Sequence, residues 1–278
     1  MVNSDNLNLQ TKNGVTYVTF PNLEKIKFLR HGMSTRLGGV SKGKYSSMNF
    51  GFQNGDSAEN VLENYRRMCA AIDVDYEKCV ISKQTHTTNI RIVTEKDIGK
   101  GIIVERDYTD IDGLITNVPD IVLVTQYADC VPLLFADPIK KVIASSHAGW
   151  RGTVNRIAEK TVKLMNKHFG CNPEDILVGI APSIMQCCFE VDKPVFDEFC
   201  KLKDIDINDI CQFKPNNKYN INLQKTTRLI LLSAGVPKEN IVITDLCTKC
   251  NPNLFHSHRA TNGERGNMAT FISIKADE

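Results

Sequence analysis

The chain has 278 residues, of which 42% are hydrophobic, enough to bury a sizeable core and too many for a disordered chain. Its 34 basic and 32 acidic residues are mixed rather than blocked and leave a formal charge of +2, which argues against nucleic acid or an anionic membrane surface as partner. Ten cysteines would suit a disulfide framework in a short secreted protein, but this chain is long and opens Met1-Val2-Asn3-Ser4-Asp5 without a charged-then-apolar leader, so reduced thiols and a cytoplasmic location are expected.

In chain order, β-rich runs fall at 17–20, 80–82, 90–93, 121–125, 131–135, 142–145, 176–180, 241–244 and 270–274. The spacing of Val61, Leu62, Tyr65, Met68, Cys69 and Ile72 predicts an amphipathic helix entered through Asp56-Ser57-Ala58-Glu59, an acidic cap followed by a carboxylate. A second helix is predicted at about 153–167, with Ile157, Thr161, Leu164 and Met165 on one face. A third is predicted at about 223–233, stopped by Gly235 and Pro237. The longest apolar stretch, 121–135, is broken by Gln126, Asp129 and Pro132 and falls short of the ~18 to 20 residues that span a bilayer, so no membrane span is expected. Strands outnumber helices and often follow one another without a helical crossover, which predicts α+β architecture with mixed or antiparallel sheets. No repeat, low-complexity tract or Pro/Gly/Ser-rich linker divides the sequence, and residues 1–278 are read as a single domain of unspecified oligomeric state.

Three segments look unlike scaffold. His86, in Lys83-Gln84-Thr85-His86-Thr87, directly follows a short apolar strand. Asp129 and Cys130, in Tyr127-Ala128-Asp129-Cys130-Val131-Pro132, interrupt what would otherwise be one buried strand. In Ser145-Ser146-His147-Ala148-Gly149-Trp150-Arg151-Gly152, a strand ends at a histidine and passes through two glycines into a helix. Functional side chains commonly sit at such element ends. Two imidazoles and a thiolate suit zinc, and three protein ligands leave a fourth position open for water or substrate. Residue types alone leave two alternatives standing. One is a buried cysteine with two satisfied histidines; the other is Cys130 as a nucleophile with His147 as its base.

The order of Gly32-Met33-Ser34-Thr35-Arg36-Leu37-Gly38-Gly39-Val40-Ser41, Ser47-Met48-Asn49-Phe50-Gly51, Gln84-Thr85-His86, Asp112-Gly113-Leu114, Ala128-Asp129-Cys130-Val131-Pro132 and His147-Ala148-Gly149-Trp150-Arg151-Gly152 resembles the laccase-domain, or multicopper-polyphenol-oxidase-like, family of purine nucleoside phosphorylases. The likeness runs from about residue 28 to the C-terminus. It implies zinc, with copper the other metal to consider, on His86, Cys130 and His147. It also implies phosphorolysis of adenosine, inosine and methylthioadenosine, deamination of adenosine, and two sheets packed between helices. The small-molecule partners would be a nucleoside and phosphate. The resemblance also brings in the older reading as a copper polyphenol oxidase and a link to peptidoglycan editing, which would suit a cysteine hydrolase. A multicopper site needs many histidines, and this chain has six.

Roles can be attached to the neighbouring residues. Asp129, beside Cys130, is the candidate acid for moving a proton in deamination, or else a carboxylate that only orients a ligand. Arg151, near a glycine-flanked helix start, and Arg36, in a glycine-rich turn, are candidates to hold phosphate, or else donors to loop carbonyls. Asn49 and Gln84 are candidates for reading the purine edge or ribose hydroxyls. Trp150, the only tryptophan, either stacks on a base or packs beneath the loop. Cys247-Thr248-Lys249-Cys250 with His256 and His258 suggests a second metal, though the spacing is shorter than a finger's. Cys187 and Cys188 are read as small hydrophobes. In the family the C-terminal stretch commonly ends Gly-Arg-Met, whereas here Asn267 stands where that arginine is frequent, so an anion contact at that position is in question.

Overall fold

Each predicted strand is present in the computed structural model, which describes residue 4 and residues 6–276. The leader reading at residues 1–5 lies, Ser4 apart, outside the described residues. One six-stranded sheet runs, edge to edge, Asn8–Lys12, Val15–Thr19, Leu29–Ser34, Met268–Ile274, Val122–Tyr127 and Cys79–Ile81, antiparallel except for the last pair. A second runs Ile241–Ile243, Leu177–Ile180, Val131–Asp137, Val142–Ala148, Gly113–Thr116 and Ile90–Ile92, antiparallel in the middle and parallel at both edges. Glu190–Asp192, Lys218–Ile221 and Cys211–Lys214 form a small antiparallel third sheet. The architecture is the expected α+β class with mixed sheets.

Side-chain alternation along the strands builds the layers. Along Met268–Ile274, Met268, Ile272 and Ile274 share a core with Leu114, Leu134 and Ile143 of the second sheet, while Ala269 and Phe271 pack with Tyr65, Met68 and Cys69 of helix Ala58–Ala71. Phe271 is fully buried there, worth about 1.5 to 3 kcal/mol over an exposed ring. Along Val131–Asp137, Val131, Leu133 and Phe135 join the core formed with helices Ile157–Phe169 and Leu223–Ser233, and Leu134 and Ala136 turn back toward the first sheet. The layers are thus helix, sheet, sheet, helices. With both faces of each sheet covered, 121–125 and 131–135 read as unbroken apolar runs rather than alternating ones. No helix among the described residues is long and apolar enough to cross a membrane.

Two local expectations are corrected. The helix predicted at 153–167 is two pieces, Trp150–Val154 and Ile157–Phe169, because Arg156 takes the left-handed conformation (φ +61°) with its guanidinium on Glu159 and Asp204. Helix Ala58–Ala71 is capped by Ser57, whose side chain accepts the Asn60 N–H, while the Asp56 carboxylate binds the Asn49 and Asn60 amides.

Candidate active site

The chain crosses from the first sheet to the second between Val122–Tyr127 and Val131–Asp137, and the crossing carries Cys130. Strand Val142–Ala148 pairs beside it, setting His147 opposite Pro132. The loop after Cys79–Ile81 brings in His86. Ligand atoms of His86, Cys130 and His147 all lie within 4.8 Å of one another, with 3.8 Å between Cys130 Sγ and His86 Nε2. The two rings meet edge to face, their centroids 5.0 Å apart. Gly149 completes the cradle: a Cβ there would stand 2.7 Å from His86 Cδ2 and 3.1 Å from Cys130 Sγ. Three converging soft and borderline donors, with room kept clear by a glycine, fit one zinc-like ion with an open position.

Asp112, fully buried, organises this cluster. Its Oδ1 accepts from the His86 N–H (3.1 Å) and meets His147 Nδ1 at 2.7 Å; its Oδ2 accepts from the Thr85 and Thr87 N–H groups and the Thr87 hydroxyl. Those three backbone donors hold His86 in the left-handed region, φ +67°, where a residue with a side chain is seldom found. One carboxylate therefore sets the backbone of one histidine and the ring of the other. Binding Nδ1 of His147 leaves its Nε2 as the nitrogen free for a ligand.

The electrostatics follow from crowding. Burial pushes the Cys130 thiol up, but the His147 and His86 rings beside it override that and bring it down to about 6. Burial pulls His147 down, yet the Cys130 sulfur and Asp112 raise it to about 9. Burial pushes the Asp112 carboxyl up, but its bond to His147 and the loop N–H groups hold it below the ordinary carboxylate value. Without a metal, the thiolate and imidazolium neutralise each other; the deprotonated sulfur is the form that ligates.

The cluster opens into a cavity of about 460 Å³, within the range of small-molecule sites. Among the described residues, its lining includes Lys83, Arg106 and Arg265 and no Asp or Glu. Arg106 Nη1 donates to the Ser82 carbonyl and Arg265 Nη1 to Asn267 Oδ1, while the buried Arg265 Nε and Asn54 Nδ2 have no partner among the described residues. Burial lowers the Arg265 pKa, with Asp129 and Cys130 pulling the other way. Gln126 and Asn267 complete the polar wall, and Phe52, stacked 5.8 Å from Tyr65, supplies an apolar one. Beneath His147, the Tyr127 ring leads to a buried hydroxyl network of Thr125, Ser145 and Thr270 that spans the two sheets.

Of the other residues singled out in the sequence, Gln84 and Asn267 line this cavity, and the Gln84 amide is committed at both ends to the backbone of Gln126. Asn49 is buried away from it, accepting the Gly51 and Asn267 N–H groups and donating to Asp56. Arg36 donates to the Ser46 and Pro252 carbonyls, the structural alternative. Arg151 is exposed, its guanidinium 4.3 Å from the Trp150 ring, and Trp150 packs against the core of the second sheet. The Asp129 carboxylate accepts the Thr248 hydroxyl (2.6 Å) and the Arg259 N–H (2.8 Å) and is absent from the lining. Arg106, Arg265 and Lys83 were not singled out, because a cation in a loop gives no sign in the sequence of the cavity it will face.

The family described as Multi-copper polyphenol oxidoreductase laccase matches residues 30–275. Purine nucleoside phosphorylase YlmD of Bacillus subtilis is 36% identical over 251 residues, 88% of each chain. Adenosine deaminase RL5, from an unknown prokaryotic organism, is 34% identical, with 91% of this chain and 99% of that one covered. Among solved structures, YlmD from Geobacillus stearothermophilus superposes with a TM-score of 0.87 at 33% identity, covering 96% of this chain and 99% of that one.

Proposed function

The chain is a member of the multi-copper polyphenol oxidoreductase laccase family, and from that premise we propose that residues 1–278 form one zinc-dependent catalytic domain. It cleaves adenosine, inosine and S-methyl-5'-thioadenosine with phosphate, and also deaminates adenosine. Ten free cysteines suit a reducing compartment, and the cytoplasm is its proposed location. The observation that carries the reading is the cavity wall: a three-ligand cluster at one end, and three cationic side chains with no carboxylate around the rest. That charge pattern suits a phosphate dianion as co-substrate.

His86, Cys130 and His147 would hold the metal, which when bound supplies Lewis acidity and an acidified water at its open position. Arg265 Nε and the Arg106 guanidinium attract and orient phosphate; Asn54 Nδ2 offers a further donor. Phosphate oxygen attacks the anomeric carbon as the bond to the purine nitrogen breaks, and the proton carried in by the phosphate dianion passes to the departing purine, giving the neutral base and ribose 1-phosphate, or 5-methylthioribose 1-phosphate from the thionucleoside. The nucleophile arrives already charged, so no protein base is needed. Deamination does need one, and the wall provides no carboxylate for it, so phosphorolysis should be the faster reaction.

A second reading has its own observation. Cys130, His147 and Asp112 form a thiolate–imidazolium–carboxylate line like that of a cysteine hydrolase, here one acting on cell-wall amides. His86 beside the same sulfur and the clearance at Gly149 favour metal instead. The polyphenol oxidase reading has less: His31 is outside the cluster and accepts the Phe20 N–H, and two histidines do not make a multicopper set.

Zinc-loaded protein incubated with each nucleoside and phosphate, with bases and ribose 1-phosphate followed by chromatography, tests the proposal. Phosphate-dependent base release that a chelator abolishes and zinc restores is expected. No base release from fully metallated protein would overturn it, and chelator-resistant, iodoacetamide-sensitive amidase activity would establish the hydrolase.

A further inference from the structure

Cys187 and Cys188, apart from Cys247 and Cys250 in sequence by some sixty residues, converge on them in space. The Sγ atoms of Cys187 and Cys188 are 3.7 Å apart, those of Cys187 and Cys250 3.7 Å, and those of Cys188 and Cys250 3.4 Å; all four sulfurs lie within 4.8 Å of one another. A tetrahedral ion with zinc–sulfur bonds of about 2.3 Å holds its thiolates about 3.8 Å apart along each edge. A disulfide would bring a pair to about 2.05 Å. An iron–sulfur cluster, in which each thiolate binds a different iron, would spread them wider. The spacing among Cys187, Cys188 and Cys250 is that of ligands around one ion, and Cys247 Sγ lies within 4.8 Å of all three.

The reading of Cys187 and Cys188 as small hydrophobes does not survive this placement, since Cys187 and Cys250 are exposed and only Cys247 is buried. Nor do the two histidines join the cluster: the His256 ring lies against Gly266, and His258 belongs to the short helix His258–Thr261. Both cysteine pairs sit in tight turns, closed by Cys188 and Phe189 N–H to the Met185 carbonyl and by Asn251 N–H to the Cys247 carbonyl. The Met185 N–H points at Cys247 Sγ at 3.5 Å, an N–H to sulfur contact of the kind that supports a ligating thiolate.

We propose that Cys187, Cys188, Cys247 and Cys250 bind a single zinc ion as a closed four-thiolate site with a structural role. It is separate from the His86, Cys130 and His147 cluster and does not depend on what that cluster catalyses. Four protein ligands leave no open position, so the ion clamps rather than reacts. What it clamps is specific. Thr248, between Cys247 and Cys250, donates its hydroxyl to Asp129 and its N–H to the Ser183 carbonyl, and the Ile184 N–H is bonded to the Asp129 carbonyl. The ion thus ties together the two turns that hold the residue next to Cys130.

Zinc per chain, counted on protein purified under reducing conditions, should be two. Cys130→Ser and Cys250→Ser should each lower it to one, and the double variant to near zero. Cobalt(II) added to reduced, metal-free Cys130→Ser protein should give the strong visible bands of a tetrahedral thiolate site, lost in Cys130→Ser/Cys250→Ser. Because Cys250→Ser could fail to fold, a measurement on the unaltered chain runs alongside: zinc should slow alkylation of Cys187 and Cys250 at least about tenfold. One zinc per chain in both the parent and Cys250→Ser, or alkylation of these exposed thiols at the same rate with and without zinc, overturns the proposal and leaves the phosphorylase reading untouched.

Discussion

Asp112→Asn is the sharpest probe of the site, because it changes one atom in a side chain that binds both histidines. Asn keeps the shape but must turn its NH2 toward one of two groups of donors. Placed at the Oδ2 position, the NH2 faces the Thr85 and Thr87 N–H groups, and the loop that holds His86 at φ +67° loses two of its three anchors. Placed at Oδ1, it faces the His86 N–H and requires His147 to present a bare Nδ1, which moves the ring proton to Nε2, the nitrogen free for a ligand. Either arrangement removes one ligand from position. Loss of such a support costs roughly 10- to 100-fold in metal affinity, about 1.4 to 2.7 kcal/mol. Zinc titrated against a chromophoric chelator reads this directly, and turnover at limiting and saturating zinc should show partial recovery. An affinity within about twofold of the parent's, in a variant that unfolds at the parent's temperature, would refute the assignment of Asp112 as the organiser.

Gly149→Ala should cost at least about tenfold in zinc affinity without destabilising the fold, since Gly149 has an ordinary backbone (φ −66°) and only the ligands lie in the way of the new methyl; parent-like zinc binding would mean the cradle is looser than it looks. Asp129→Asn should keep activity within about threefold, because the amide oxygen still accepts the Arg259 N–H and Thr248 can turn its hydroxyl to accept; a fall of about 100-fold with zinc still bound would make Asp129 the proton carrier after all. Burial pushes the Asp97 carboxyl up, but Arg91, Lys100 and the Thr94 N–H outweigh it and hold the group at about 2. A depressed carboxyl stabilises the fold above its unfolded value and ceases to as pH falls through the folded one, so Asp97→Asn should cost on the order of 2 kcal/mol near neutrality and progressively less between about pH 4 and 2, read by urea unfolding; an equal deficit at both ends would remove the ion pair from the account.

The layered core was legible because burial on both faces writes itself as β-branched runs, and each such run is a strand in the structure. Strands without that signature were missed. Asn8–Lys12 is a mostly exposed polar edge, Leu29–Ser34 mixes Arg30, His31 and Gly32, and Lys218–Ile221 belongs to a small sheet outside the two large ones. The break at Arg156 was hidden because its left-handed turn is fixed by Glu159 and by Asp204, the latter far along the chain.

The candidate site divides along the same line. His86, Cys130 and His147 could be picked out because each interrupts or ends an apolar run, and a polar side chain there has few other reasons to exist. The cations of the cavity wall could not, since Arg106 and Arg265 come from loops whose meeting place depends on how two sheets stack. At Asp129, adjacency in sequence and direction in space part. It neighbours Cys130, yet its carboxylate is bonded to Thr248 and Arg259 while the Cys130 sulfur faces His86. Successive side chains of a chain crossing between sheets diverge, so the residue beside a ligand is better placed to brace the crossing than to share the reaction. The carboxylate that does bond the candidate ligands, Asp112, comes from another segment and reaches them because the strand that follows it, Gly113–Thr116, pairs with Val142–Ala148, as the bond from the His147 N–H to the Asp112 carbonyl records.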